Sequence, residues 1–296
     1  PNIVNILSNS KGKNIISERS SPSNETKGFF EKFYSFLKKI FYNKADEIIS
    51  ISKGVKKDLI LNFNIKGSKI KTIYNPCDIK KINQLKQNKL EERYEKVFSK
   101  PTIINIGRLV KQKGQNHLIK TFKRVKQEKE TVQLVILGKG PLKDSLQKLT
   151  KELEISNSVH FLGFKENPFK FIYNSDVFVF SSLWEGFGNV LLEAMACELP
   201  IISTDCDSGP REILAPNTNI NKKTKNIEYA EYGVLTPDFN QGSNYSKKEE
   251  ILSKAIIKIL SNKKLHNKYY KASKNRVNDF KLTKINNKWL KVIEDN

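Results

Sequence analysis

Cysteine is scarce in this chain of 296 residues: Cys77, Cys197 and Cys206 stand far apart and follow no metal-ligand spacing. They fit a reducing cytoplasm better than a disulfide framework. No apolar run reaches the roughly 18 residues that a membrane-spanning helix needs, which excludes one. The chain opens on Pro1, with no initiator Met and no signal-peptide layout, so a fragment or a processed chain is expected. Acidic residues are also short, 31 Asp and Glu against 53 Lys and Arg, and the net charge of +22 predicts attraction to anions. It does not choose among them. Zinc-finger, basic-zipper and RNA-stacking motifs are absent and the lysines are dispersed, so no nucleic-acid partner is expected. Abundant Lys, Asn and Ile also fit a codon bias toward A and T, which makes much of the charge incidental. Residues 29–44 alternate Phe, Tyr, Leu and Ile with Lys. A helix of that kind either lies in an anionic membrane interface as a peripheral anchor or packs on a core with a solvated lysine face.

What is present is a repeated alternation of short apolar runs with helical periods. Residues 102–106, 132–137, 159–162, 177–180 and 201–204 read as buried strands, with helices at 115–127, 142–153 and 190–197 between them. Such alternation implies an α/β fold with a doubly wound parallel sheet, whose ligands bind beyond the carboxyl ends of the strands. Glycines 107, 138, 140, 163, 186 and 188 all fall at those ends. Helices at 247–262 and 265–279 complete this unit. Residues before about 100 read as a different unit, with strand candidates at 15–17 and 47–52 and a charged, Gln-rich linker helix or loop at 80–100.

The most informative stretch runs from Ser181 through Trp184, Glu185, Gly186, Phe187, Gly188 and Asn189 to Glu193. A buried strand precedes it and a helix stopped by Leu199 and Pro200 follows. Strand, glycine turn, helix is an anion-binding arrangement, because unpaired N–H groups and the positive helix end face whatever fills the turn. With Ile106, Gly107, Arg108, Leu109, Lys113 and Gly114, with Leu137 to Pro141, with Phe161 to Phe164, and with Gly209, Pro210, Arg211, Glu212 and Ile213, this chain resembles the retaining glycosyltransferases of family 4, also described as glycosyl transferases group 1. The signature is a Glu, seven residues, then a second Glu, here Glu185 and Glu193. The likeness covers roughly residues 45–260.

The resemblance implies the GT-B arrangement, two Rossmann-like domains facing across a cleft. Residues 1–97 would form a partial acceptor-side domain, incomplete at its N-terminus; residues 98–280 the nucleotide-sugar domain; and residues 281–296 a helix crossing back. It implies that Arg108 and Lys113 hold the donor diphosphate and stabilise it as it leaves, a role metal ions play elsewhere. It implies that Glu193 accepts from two ribose hydroxyls, that Glu185 contacts the donor sugar, and that Phe164 and Lys165 lie by the nucleobase. Gly107, Gly138, Gly140, Gly186, Phe187, Gly188 and Asn189 complete the expected donor site. Each has a plain alternative: solvated loop cations, a salt-bridged helix Glu, a helix N-terminal charge, a surface aromatic. Asp205, Cys206 and Asp207 invite a metal reading that no neighbouring hard ligands support, so no metal or other cofactor is expected. His117 and His160 fall in a helix and a strand without the neighbours of a base.

The function expected is retaining transfer of a sugar from a nucleotide sugar, a uridine diphosphate sugar foremost and an N-acetylhexosamine among the candidates, to a hydroxyl of a lipid-linked or polysaccharide acceptor in bacterial surface-glycan synthesis. The place expected is the cytoplasm or the inner face of the cell membrane. A UDP-sugar 2-epimerase of similar layout and a basic nucleic-acid-binding protein are the alternatives.

Overall fold

The computed structural model describes residues 2–8, 12–25, 29–240 and 242–294; Pro1 lies outside them. Two sheets organise the described residues. The first holds β1 (Ile15–Glu18), β2 (Glu47–Ser50) and β3 (Ile70–Thr72), parallel and in that spatial order. The second holds β4 (Thr102–Ile106), β5 (Gln133–Leu137), β6 (Val159–Gly163), β7 (Val177–Phe180), β8 (Ile201–Thr204), β9 (Glu228–Tyr229) and β10 (Val234–Thr236). Their spatial order is β6-β5-β4-β7-β8-β10-β9, with β9 antiparallel at the edge. Without that edge strand this is the doubly wound order of dinucleotide-binding folds, whose direction reverses between β4 and β7. The protein is α/β with two Rossmann-like halves.

Burial explains why these short runs become strands. Every residue of β2, β5, β7 and β8 is buried, as helices cover both faces of the parallel sheets. At the centre β4 and β7 stay in register for two residues, Ile103 opposite Val177 and Ile104 opposite Phe178, and then part. Beyond that point the buried Asn105 side chain bridges them, its amide donating to the Val179 carbonyl at 2.8 Å.

Helix limits follow local chemistry. The strand read over 47–52 ends at Ser50, because the Ser52 hydroxyl accepts from the Val55 amide at 3.0 Å and starts the helix Lys53–Phe63. That helix stops at Asn64, in the left-handed conformation with φ 56°. The stretch read as a linker helix or loop, 80–100, folds into two helices, Ile79–Leu85 and Glu92–Phe98. Strands β3, β9 and β10 were not foreseen, being only two or three residues long. The helix Phe29–Phe41 combines features of both expectations for it. Leu37 and Phe41 pack on the core, Lys38 is buried in an ion pair with Glu18 at 2.8 Å, and Phe33, Phe36 and Ile40 face outward. Its lysine face is therefore only partly solvated.

The last helix, Leu282–Glu294, lies on the first sheet: Ile285 and Val292 pack against Ile49 and Ile73, with Ile15 and Trp289 half-buried beside them. One helix late in the chain thus covers strands formed early in it. Replacing Ile285, fully buried, with Ala should cost about 3 kcal/mol, the usual result of emptying such a site. Urea denaturation measures it; a loss below about 1 kcal/mol would show that this helix is not a fixed part of the fold.

Candidate active site

The site is built where β4, β5 and β6 end. Their exits continue side by side as a backbone ladder: Gly107 N donates to Leu137 O at 3.0 Å, Leu109 N to Lys139 O at 2.9 Å, and Gly138 N to Gly163 O at 2.8 Å. Glycine is required at 138, where φ is +142° and a Cβ would sit 1.9 Å from the Gly107 carbonyl oxygen. Next to this ladder the helix Asn189–Ala196 starts from Gly188, at φ +90°, and points its N-terminus at the crevice opened by the parting of β4 and β7.

A cavity of about 830 Å³ occupies this crevice. Gly107, Arg108, Gly138, Lys139, Phe164, Lys165, Asn189 and Glu193 line one side. Pro76, Cys77, Asp78, Lys81, Ile82 and Leu85 line the other, brought there by the first half of the chain. That second wall was missed in the sequence. A signal was present: Asp78 followed by Ile79, Ile82 and Leu85 at helical spacing. Asp78 indeed caps the helix, accepting from Lys81 N at 3.0 Å.

Charged groups at the site divide into paired and unpaired. Glu193 faces the cavity with no hydrogen-bond or ion-pair partner among the described residues, and burial pushes its carboxyl above the usual range. The Arg108 side chain is exposed at the rim and likewise unpartnered among the described residues; its carbonyl accepts from Val110 N at 2.9 Å and from Gln115 Nε2 at 3.1 Å. Asn189 accepts from Asn75 Nδ2 at 2.8 Å, and Lys165 donates to the Tyr94 hydroxyl at 2.7 Å. Phe164 stands out from the rim, largely exposed.

Several expected site residues lie outside the cavity wall. Lys113 and Glu185 pair with each other, Nζ to Oε1 at 2.6 Å, with Glu185 buried. The two roles assigned to them separately therefore fall on one ion pair. Gly140 and Gly186 take the backbone close to Leu109 O and Arg19 O. Phe187, expected to touch a ligand, is instead core: it is buried, stacked on Tyr74 at 5.1 Å and packed near Phe280. Both Asp205 oxygens receive hydrogen bonds from Arg211, at 3.0 and 2.5 Å. His117 pairs with Glu249 at 2.9 Å and stacks on Phe239, and His160 meets Gln133 at 2.8 Å.

The family model described as Glycosyl transferases group 1 matches residues 86–276, and the one described as Glycosyltransferase Family 4 matches residues 17–81. The chain is 39% identical over 292 residues to an uncharacterized glycosyltransferase of Methanocaldococcus jannaschii, covering 95% of this chain and 72% of the relative. It is 33% identical over 294 residues to the N-acetylgalactosamine-N,N'-diacetylbacillosaminyl-diphospho-undecaprenol 4-alpha-N-acetylgalactosaminyltransferase of Campylobacter jejuni, covering 96% and 71%. Among solved structures, Anabaena HepE in complex with UDP and glucose superposes with a TM-score of 0.77 at 19% identity, covering 95% of this chain and 71% of that one. This last likeness concerns the fold.

The unpartnered carboxyl generates a pH prediction. A buried acid whose pKa is raised is favoured in its protonated form, so its stabilising contribution is complete below the unfolded pKa and is lost as pH rises through the folded one. Glutamine cannot ionise. Glu193→Gln should therefore raise the melting temperature of the ligand-free chain at pH 7.5, with the difference shrinking toward pH 4. Scanning calorimetry across that range checks it, and an offset independent of pH would contradict the burial argument.

Proposed function

This chain belongs to the glycosyl transferases group 1 family and is a sugar-transferring enzyme of the polysaccharide-building kind, and from that premise we propose that its donor is a nucleoside diphosphate sugar, a uridine diphosphate sugar foremost. The observation that carries the proposal is the cavity at the switch point, with a half-buried, unpartnered Glu193 inside and the free Arg108 guanidinium at its rim. A carboxylate in that position accepts from adjacent ribose hydroxyls, which relieves the cost of burying it alone. A guanidinium beside a helix N-terminus suits a diphosphate, which Arg binds through paired hydrogen bonds. The cavity is of the size that holds a drug-sized ligand.

In this reading the bond between the anomeric carbon and the diphosphate oxygen breaks as the acceptor oxygen approaches on the same face. The acceptor proton passes to a donor phosphate oxygen, and the configuration is retained. Positive charge from Arg108 and the helix N-terminus stabilises the leaving diphosphate, so the scheme assigns no step to a metal. Glu185 and Lys113 sit next to this centre as an ion pair. Glu185 there orients the donor sugar, and Lys113 adds positive charge near the diphosphate.

The acceptor in this proposal is a lipid-linked or polysaccharide hydroxyl, and the Campylobacter relative, named for an N-acetylgalactosaminyl transfer to a diphospho-undecaprenol glycan, supports both that class and an N-acetylhexosamine donor. No helix among the described residues is long and apolar enough to cross a membrane. The outward stripe Phe33, Phe36 and Ile40, with Val4 and Leu7 exposed on the helix Asn2–Leu7 that contacts it, fits peripheral attachment from the cytoplasmic side. Anionic vesicles should then retain the protein in sedimentation and zwitterionic ones should not; equal recovery with both would remove the membrane from the proposal.

Calorimetric titration with UDP, GDP and ADP tests the donor site. One diphosphate should bind saturably, and Glu193→Ala and Arg108→Ala should each weaken it about tenfold or more, as expected for a lost charge-assisted hydrogen bond. Binding of none of the three, or binding indifferent to both substitutions, would overturn the placement.

A further inference from the structure

One motif has no part in the cavity. Gly209, Pro210, Arg211, Glu212 and Ile213 open the short helix Pro210–Leu214, which follows β8, and Glu212 within it is buried. Its carboxylate reaches out of the second half of the molecule into the first. Oε2 accepts from Lys53 N at 2.7 Å and from the Tyr74 hydroxyl at 3.1 Å, and Oε1 accepts from Gly54 N at 2.9 Å. Lys53 and Gly54 are the first residues of the helix Lys53–Phe63, whose opening N–H groups have no partner inside the helix and carry its positive end. All three donors belong to the first half. Burial raises the carboxyl's pKa, and the three donors oppose that rise.

The acceptor of these bonds is itself held in place. Arg276 donates to the Glu212 carbonyl at 2.8 Å and to the Ile213 carbonyl at 3.0 Å, fixing the short helix from behind. The donors lead directly to the active site. Tyr74 stacks on Phe187, the residue between Gly186 and Gly188 in the turn that carries Glu185. Two residues after Tyr74 the cavity wall begins at Pro76. Across that turn, the backbone of Gly186 meets the Arg19 carbonyl at the end of β1, so closely that a Cβ at 186 would lie 2.5 Å from it.

We propose that Glu212 is a positioning residue for sugar transfer: its carboxylate sets the register between the acceptor-side half and the Glu185 turn by capping the helix Lys53–Phe63 and holding Tyr74. The proposal rests on the glycosyl-transfer reading above. It separates Glu212 from the donor-binding groups, since Glu212 does not line the donor cavity. The helix Ile79–Leu85, which does, is held to the second half independently, by the buried Lys86 ammonium on the Ala196 carbonyl at 3.1 Å and on Glu198 at 3.0 Å. Loss of Glu212 should therefore spare donor affinity and damage turnover.

The test uses the whole chain and the variants Glu212→Ala, Glu212→Gln and Tyr74→Phe. In amide hydrogen exchange, Glu212→Ala should lose protection at Lys53 and Gly54 by tenfold or more, while Leu59 and Ile60, inside the same helix, keep theirs. The affinity for UDP should stay within about twofold of the unsubstituted chain. With the UDP-sugar that supports UDP release, kcat should fall at least tenfold at a donor KM within about twofold, with Glu212→Gln and Tyr74→Phe intermediate. The two milder variants keep the question open to experiment if Glu212→Ala does not fold. Unchanged protection at Lys53 and Gly54, or unchanged kcat in the variants, would overturn the role of Glu212 alone. Failure of the unsubstituted chain to bind UDP would instead sink the donor reading, and the proposal with it.

Discussion

The parting of β4 and β7 is the constraint on which the rest of this structure depends. Two parallel strands hydrogen-bonded along their whole length leave no room at their ends; these two remain in register for two residues and then diverge, with Asn105 bridging to Val179. The connections on either side run in opposite directions from that point, one toward β5 and β6 and the other toward β8 and β10. A crevice at the carboxyl ends is the geometric result. The glycine exits of β4 and β5 line it, and at Gly138 the two backbones approach closer than a side chain permits.

Electrostatics then distinguishes groups closed into ion pairs from groups that have no partner among the described residues. Arg211 is buried between Asp205 and Glu228, Lys38 is buried on Glu18, and Lys113 is closed onto Glu185. Breaking any of these pairs would leave a buried charge uncompensated, which costs far more than an exposed pair contributes. Glu193 and Arg108 differ in kind. Each faces the cavity or its rim without a partner among the described residues, and a half-buried carboxylate in that state is unfavourable until something supplies donors. The large positive charge of the chain, by contrast, is mostly lysine at the surface, and it contributes to attraction at a distance rather than to recognition.

Contacts between the two halves are as specific as those within them. Glu212 joins the helix after β2 and Tyr74 to the short helix after β8, Cys77 N donates to the Phe280 carbonyl at 2.7 Å, and the final helix lies on the first sheet. Chain ends and chain middle are interleaved, so that the cavity has one wall from each half. This is why a substitution in a segment distant in sequence from the glutamate motif can reach the chemistry.

Much of the second half was legible in the residues. Strand by strand, apolar runs at 102–106, 177–180 and 201–204 coincide with β4, β7 and β8, because a strand buried on both faces reads as a largely apolar run. The glycine turn before Asn189 and the placing of Gly107, Arg108, Gly138 and Glu193 at one sheet edge follow from the same alternation. Tertiary structure alone decided the rest. Phe187 looks like a ligand contact in sequence and is a core ring, because Tyr74 and Phe280 come to it from positions about a hundred residues away on either side. Lys113 and Glu185, 72 residues apart, become one ion pair only when the exits of β4 and β7 lie side by side. The wall from Pro76 to Leu85 and the bridge made by Glu212 are long-range in the same sense. Local pattern specifies which residues form an element and which face it buries, whereas partners across a cleft are set by how elements pack, and one chain read in order carries no direct record of that.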